Sequence, residues 1–310
     1  MEPVLYDKYD KIAQILALGV LSGFSAVAQA DASQSTANSP QKWAEKCEPW
    51  DEWDKPAPPF KVHGNTYYVG TCGIASILIT DDEGHVLLDS GTEAGARVVK
   101  RNIEMLNFDI GDVLLLGYSH EHFDHVGGMA YLQELTGGSL VSLKAGAKVM
   151  ESGASDPTDP QHGMHAPFAP ARVDFVHKDG DAMGTGSLLV RSFSAPGHTP
   201  GATIWQWESC AEKDGDDDCK TIVYADSMSP VSRDGYKFSD HPEYLAAYRA
   251  GIDRLGKLEC DILLTPHPSH SQMVKRAATG SFEGGVSCAE YAAQKHRDLD
   301  ARLAKEMADE

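Results

Sequence analysis

Residues 119–128 read S-H-E-H-F-D-H-V-G-G and set three histidines and an aspartate within six positions. The whole 310-residue chain holds only 13 histidines. A pattern H-x-H-x-[DE]-H arises by chance in roughly a few per thousand such chains. His120 and His122 are two apart, so in an extended segment they point the same way. Asp124 and His125 fall on the turn that follows, where they can face a second point nearby. Neutral nitrogen and carboxylate donors suit zinc. Four ligands on one metal would close a structural site. Further histidines brought in by other loops would instead make two metal sites, each with open positions. The fold therefore has to deliver other loops to this one.

Two such loops exist. His198 lies in A-P-G-H-T-P-G and His267 in T-P-H-P, each after an apolar run and each bracketed by Pro or Gly. The runs T-Y-Y-V, A-S-I-L-I-T and H-V-L-L-D read as strands split by Gly and Asp turns. A helix is expected over 93–106, where Val99, Ile103 and Leu106 share one face. D-V-L-L-L-G-Y is a buried strand that ends where the histidines begin, and Met129, Leu132 and Leu135 predict a helix just after. In the second half, S-L-L-V-R-S-F-S, A-T-I-W-Q-W-E, T-I-V-Y-A-D and D-I-L-L are strands. Pro242 opens a helix with Leu245, Tyr248, Ile252 and Leu255 on its buried face. Ser287-x-x-Glu290 is a capping box opening a last helix. Two halves, each of strands followed by helices, predict two sheets face to face with helices outside. Residues 151–171 are rich in Pro and Gly and read as a long loop, of the kind that often serves as a lid.

The formal net charge is −19. No Lys/Arg cluster offers phosphates a basic face, so a nucleic-acid partner is not expected. Residues 1–30 read as a cleavable signal peptide: Lys8 and Lys11 precede an apolar run, and Ala28-Gln29-Ala30 has the small-x-small pattern before a cut after Ala30. Glu2, Asp7 and Asp10 are unusual in such a segment, and an uncleaved membrane-proximal helix is the alternative. Residues 31–58 form a polar linker and N-terminal segment, and 59–310 a single domain. Export to the periplasm fits the six cysteines, whose connectivity the sequence leaves open. Cys210 and Cys219 flank a loop that looks like a hairpin tip closed by a local bridge. Cys260 and Cys288 flank one later segment, and Cys47 and Cys72 remain. No C-x-x-C pair points to a zinc–thiolate site.

Taken together, Y-Y-V-G-T-C-G, S-H-E-H-F-D-H, S-A-P-G-H-T-P-G, V-Y-A-D-S-M-S and C-D-I-L-L-T-P-H-P-S resemble the metallo-β-lactamase superfamily, from about residue 60 onward. More narrowly, they are similar to its subclass B3, close to the disulfide-rich AIM-like members. The resemblance implies an αββα sandwich and two zinc ions per chain. It assigns His120, His122 and His198 to the first zinc and Asp124, His125 and His267 to the second. It implies a bridging hydroxide as nucleophile, oriented by Asp124. Ser227 and Ser229 would bind the substrate carboxylate, directly or through water, with turn formation before Pro230 as the alternative reading of both. The implied activity is opening of the β-lactam ring of penicillins, cephalosporins and carbapenems, conferring resistance, by a monomer free of the membrane once the signal is removed. Asp226 could instead bridge both metals, as in a glyoxalase II-like thioesterase or a lactonase. A metal-bound binding protein without turnover is the remaining alternative. His162, His165 and His270 are read as non-ligands.

Overall fold

The computed structural model describes residues 38–213 and 215–308. The proposed signal peptide lies outside the described residues. Strands β1 (Phe60–His63), β2 (Thr66–Tyr68), β3 (Ile77–Ile79), β4 (His85–Leu88), β5 (Val113–Gly117), β6 (Ser139–Leu143) and β7 (Val173–His177) form one sheet in chain order. The first four pair antiparallel, and β4 to β7 run parallel. Parallel neighbours need crossovers. Helix α2 (Glu93–Met105) joins β4 to β5, α3 (Phe123–Val126) and α4 (Met129–Thr136) join β5 to β6, and α5 (Lys144–Ser152) joins β6 to β7. The second sheet has the order β12-β11-β10-β9-β8. Its members are β8 (Ala182–Met183), β9 (Val190–Ser194), β10 (Thr203–Lys213), β11 (Asp216–Tyr224) and β12 (Ile262–Leu264). Helix α6 (Pro242–Leu255) carries the one parallel crossover of this sheet, from β11 to β12.

Alternation along each strand sorts the layers. Ile77, Ile79 and Leu115 point inward to meet Trp205, Trp207, Ile222 and Tyr224 of the other sheet. Their neighbours Leu78, Leu87 and Leu116 point outward to Val99 and Ile103 of α2 and Leu132 of α4. On the far side, Ile204, Val223 and Leu263 meet Tyr248, Ile252 and Leu255 of α6, and Tyr291 and Leu299 of α8 (Cys288–Ala308). This is the αββα sandwich expected from the sequence. Buried indole N–H groups need acceptors. Trp205 Nε1 donates to the Tyr118 carbonyl at 2.8 Å and Trp207 Nε1 to Thr66 Oγ1 at 2.9 Å, each tying one sheet to the other.

The N-terminal segment is folded onto this body from Pro40. Ser39 caps α1 (Pro40–Lys46), which lies against α7 (Met273–Thr279). Trp43 is fully buried, edge-on to Phe60 and Tyr68. Burying such a side chain contributes on the order of 3 kcal/mol. The disulfide Cys47–Cys72 then anchors the chain beside the β2–β3 connection. Cys210–Cys219 joins directly opposed residues of β10 and β11, and Cys260–Cys288 ties the approach to β12 to the start of α8. There Ser287 and Glu290 form the reciprocal capping box. Among the described residues, no helix is long and apolar enough to cross a membrane.

One consequence of the topology matters most for function. The carboxyl ends of β4, β5, β11 and β12, with the β9–β10 loop, gather at one edge of the sandwich. Gly201 sets the approach of that loop: a Cβ there would sit 2.6 Å from the Gly146 backbone and 2.8 Å from Glu121 Oε1. Gly201→Ala is expected to lower stability by about 1–3 kcal/mol, read from the urea midpoint. An unchanged midpoint would mean that α5 yields freely and the approach is not tight.

Candidate metal centre

β5 ends at Gly117, and a short bent loop, Tyr118 to Glu121, leads to His122, the extended N-cap of α3. His120 and His122 nonetheless meet, with ring centroids 5.0 Å apart. His198, from the β9–β10 loop, lies 4.6 Å from the first ring and 4.9 Å from the second. One donor atom from each of the three lies within 4.8 Å of the others. Asp124 and His125 occupy the first turn of α3. Asp124 Oδ2 is 3.0 Å from His125 Nε2 and 3.3 Å from His267 Nε2, and those two nitrogens are 3.4 Å apart. Two triads thus stand side by side, and the structure brings together all six predicted donors.

The outer contact of each imidazole decides which nitrogen faces the centre. His120 Nδ1 lies 2.9 Å from Asp226 Oδ1, His125 Nδ1 3.2 Å from Asp89 Oδ2, and His198 Nδ1 2.8 Å from the Ser229 carbonyl. Each leaves Nε2 inward. His122 is reversed: its Nε2 meets Asp159 Oδ2 at 3.1 Å, leaving Nδ1 inward. His120 Nε2 has no hydrogen-bond partner although the residue is wholly buried. An orphaned buried nitrogen among five further N and O donors is what a zinc-type site requires and what a polar core avoids.

Electrostatics agree. Burial, reinforced by neighbouring imidazoles, holds His120 and His198 far below the ordinary histidine range. The same causes bring His267 down to about 4. These rings are neutral and ready to donate lone pairs. Burial opposes ionisation of Asp124, but His125 and His267 more than offset it, and its carboxyl lies well below the usual range. Burial would also lower His125, yet Asp124 and Asp89 lift it to about 10. A metal held at Nε2 would take the place of that proton.

Several contributors have no signal in the sequence motif. Asp89 adopts a positive φ of 60° at the end of β4. It accepts from Ser119 N (2.6 Å), Ser119 Oγ (2.7 Å) and Tyr224 OH (2.6 Å). The buried Glu121 carboxylate accepts from Thr199 Oγ1 and Gly201 N, locking the two histidine loops together. Asp226 is pushed up to about 7 by burial. Its Oδ2 accepts from Met228 N at 2.7 Å, and it stands behind His120 at Nδ1 rather than at the inward Nε2. That geometry gives Asp226 a supporting position.

A cleft of about 330 Å³ opens over the centre, lined by His122, His198, Ser227, Ser229, Trp50 and Trp53 among others. Ser227 Oγ is buried without a partner. The two tryptophans, 66% and 40% exposed, flank His267. His165 stands over the rim, 5.6 Å from the His122 ring, and His162 bonds Ser155 instead. His270 sits beside His267 and Trp50, one step out from the donors.

Residues 69–209 match the family model described as the metallo-beta-lactamase superfamily. The MIM-2 metallo-beta-lactamase shares 52% sequence identity, with a TM-score of 0.82 over 86% of this chain and 98% of that one. The chain belongs to the metallo-β-lactamase superfamily. Its subclass B3 branch is represented by MEM-A1, from a soil metagenome library, at 34% identity and a TM-score of 0.78 over 84% of this chain and 100% of that one. A curated relative, the hydroxyacylglutathione hydrolase of Bradyrhizobium sp. (strain ORS 278), is 27% identical over 128 residues, 39% of this chain. The match spans about 41% of that relative's length. The likeness to the hydrolase is confined to that stretch, while the likeness over 84–86% of the chain lies with the β-lactamases.

Asp226→Asn provides the first test of the centre. Disturbing the partner of a ligating histidine typically costs about 10–100-fold in metal affinity. Competition with a chromophoric chelator should show weaker zinc binding but unchanged stoichiometry at saturation. Loss of a full zinc equivalent would make Asp226 a ligand instead.

Proposed function

We propose that this chain is a zinc-dependent hydrolase that opens the β-lactam ring, and so confers resistance to penicillins, cephalosporins and carbapenems. The observation that carries the reading is the convergence of six donors on two adjacent points beneath a cleft that also holds Ser227 and Ser229. His120, His122 and His198 would hold one zinc ion, and Asp124, His125 and His267 the other. Two zinc ions held there supply an ionised water at neutral pH and a Lewis acid for the lactam carbonyl. Asp124 accepts a hydrogen bond from the attacking water and aims it. Ser227 and Ser229 donate hydroxyl hydrogens to the substrate carboxylate. Trp50 and Trp53 cover the apolar part of the substrate and keep bulk water away from the lactam. The protein acts as a monomer, exported to the periplasm by a cleavable signal peptide, and the three disulfides fit that oxidising compartment.

A thioesterase reading finds support in the hydroxyacylglutathione hydrolase match. It calls for Asp226 between the metals, and Asp226 lies on the outer side of His120. The first experiment is hydrolysis of a carbapenem by the purified mature protein, with and without chelator, and with zinc restored. Chelator-sensitive turnover recovered by zinc is expected. No turnover with two zinc ions verified bound would move the assignment to thioester or lactone substrates. Asp124→Ala should lower kcat/KM by about 100-fold or more and weaken the second zinc. Full activity in that variant would remove Asp124 from the centre.

A further inference from the structure

Helix α8 places an ammonium group directly behind the serine pair. Lys295 is 3% exposed, and its Nζ donates to Ser229 Oγ at 3.0 Å. Tyr291, four residues earlier and so on the same helix face, presents its ring 5.0 Å from that ammonium. The Tyr291 hydroxyl donates to the Ser227 carbonyl at 2.8 Å. One helix face thus grips both serines of the turn. The nearest carboxylate, Asp298, holds Oδ2 3.9 Å from Nζ and is 36% exposed, while its Oδ1 accepts from Gln294 at 2.7 Å. The charge of Lys295 is therefore only partly compensated. Burial draws this lysine down to about 8, and the charges of Asp298 and Asp226 oppose that shift.

An ammonium kept out of water with one hydroxyl, one aromatic face and a part-exposed carboxylate at 3.9 Å for company is costly. It needs a counter-charge, and the open direction is through Ser229 into the cleft. Because Lys295 occupies a lone pair of Ser229 Oγ, the Ser229 hydrogen is free to turn toward a ligand, and it is polarised. Its alternative acceptor, the Ser227 carbonyl, lies 3.2 Å away, a long bond that exchanges readily. A hydroxyl backed by a cation binds an anion better than a neutral one. The adjacent Ser227 Oγ has no protein partner.

We propose that Lys295 is a positioning residue that acts through Ser229 to make the serine end of the cleft an anion subsite selective for a carboxylate. Identifying that carboxylate as the one on a β-lactam rests on the function proposed above. The rival role for Lys295 is purely structural, a staple between α8 and the loop after β11.

Lys295→Met keeps the length and removes the charge. Lys295→Gln keeps a donor for Ser229 without the charge and serves if the first variant fails to fold. Zinc-loaded protein is compared on benzylpenicillin and on its methyl ester. The expected result is a KM for the acid raised about tenfold, with kcat within about twofold and the ester parameters unchanged. Equal losses on acid and ester mean a staple, and no change on either removes the subsite. A second measurement needs no turnover: quenching of the cleft tryptophans by phenylacetylglycine and by its methyl ester. Wild-type protein should prefer the acid, and the variants should lose most of that preference. Wild type inactive on benzylpenicillin, with the preference present and lost in the variants, sinks the β-lactamase reading and leaves the subsite standing. Turnover with no acid preference, or with a preference the variants keep, overturns the subsite alone.

Discussion

Asp89 is where the two sheets and the histidine loop meet. Its carboxylate takes the Ser119 amide and hydroxyl from the loop after β5, the Tyr224 hydroxyl from the opposite sheet, and His125 from the metal centre. A carboxylate with no exposure needs every one of those donors. Its demand fixes the height of the loop above β5, the register of that loop against β11, and the tautomer of His125. The positive φ at Asp89 is the backbone cost of aiming the side chain there. Without this arrangement, His120 and His122 would still be close in the chain, but nothing would fix where they point relative to His267.

The same device recurs around the centre. Asp226 stands behind His120, Asp159 behind His122, and Glu121 between the two loops that carry His122 and His198. Each acid is buried and each is at a loop rather than inside a strand. Burying so many carboxylates beside imidazoles is poor economy for stability alone, since desolvation can exceed the Coulombic return. It makes sense when the ligands must be held before any metal arrives. The apolar layers and the three disulfides carry the stability, and the polar edge is free to be optimised for geometry.

The sequence exposed the six candidate donors because their chemistry is concentrated and local. Four sit in one six-residue stretch, and His198 and His267 are marked by Pro and Gly at strand ends. The layers were legible for a similar reason: Ile77, Leu78 and Ile79 report the pleat directly. The supporting residues were hidden because their meaning depends on contacts across the chain. Asp89 reaches Tyr224 over 135 positions, and Lys295 reaches Ser229 over 66. Asp89 does end a strand as His198 and Asp226 do, so the strand-end rule could have raised it. No local pattern distinguishes Trp50 and Trp53 in an acidic, Pro-containing stretch. They reach the cleft because Trp43 is buried and Cys47 is tied to Cys72, and neither fact follows from local composition.

The turn from Asp226 to Ser229 joins the two kinds of binding. Asp226 holds His120 and, by accepting the Met228 amide, shapes the turn. Met228 takes a positive φ of 46°, which throws Ser227 and Ser229 to the cleft side. The Ser229 carbonyl holds His198, while its hydroxyl meets Lys295. A four-residue segment thus orients one candidate donor through a side chain, a second through a carbonyl, and the serine pair through its backbone path. Residues coupled in this way do not contribute additively. A substitution that reshapes the serine end also turns His198, and one that loosens His120 also moves the serines. Selectivity for the anion and strength of the metal site are therefore linked by covalent geometry, and the more independent route to altered substrate choice runs through Trp50 and Trp53, whose exposed side chains flank His267 without sharing that turn.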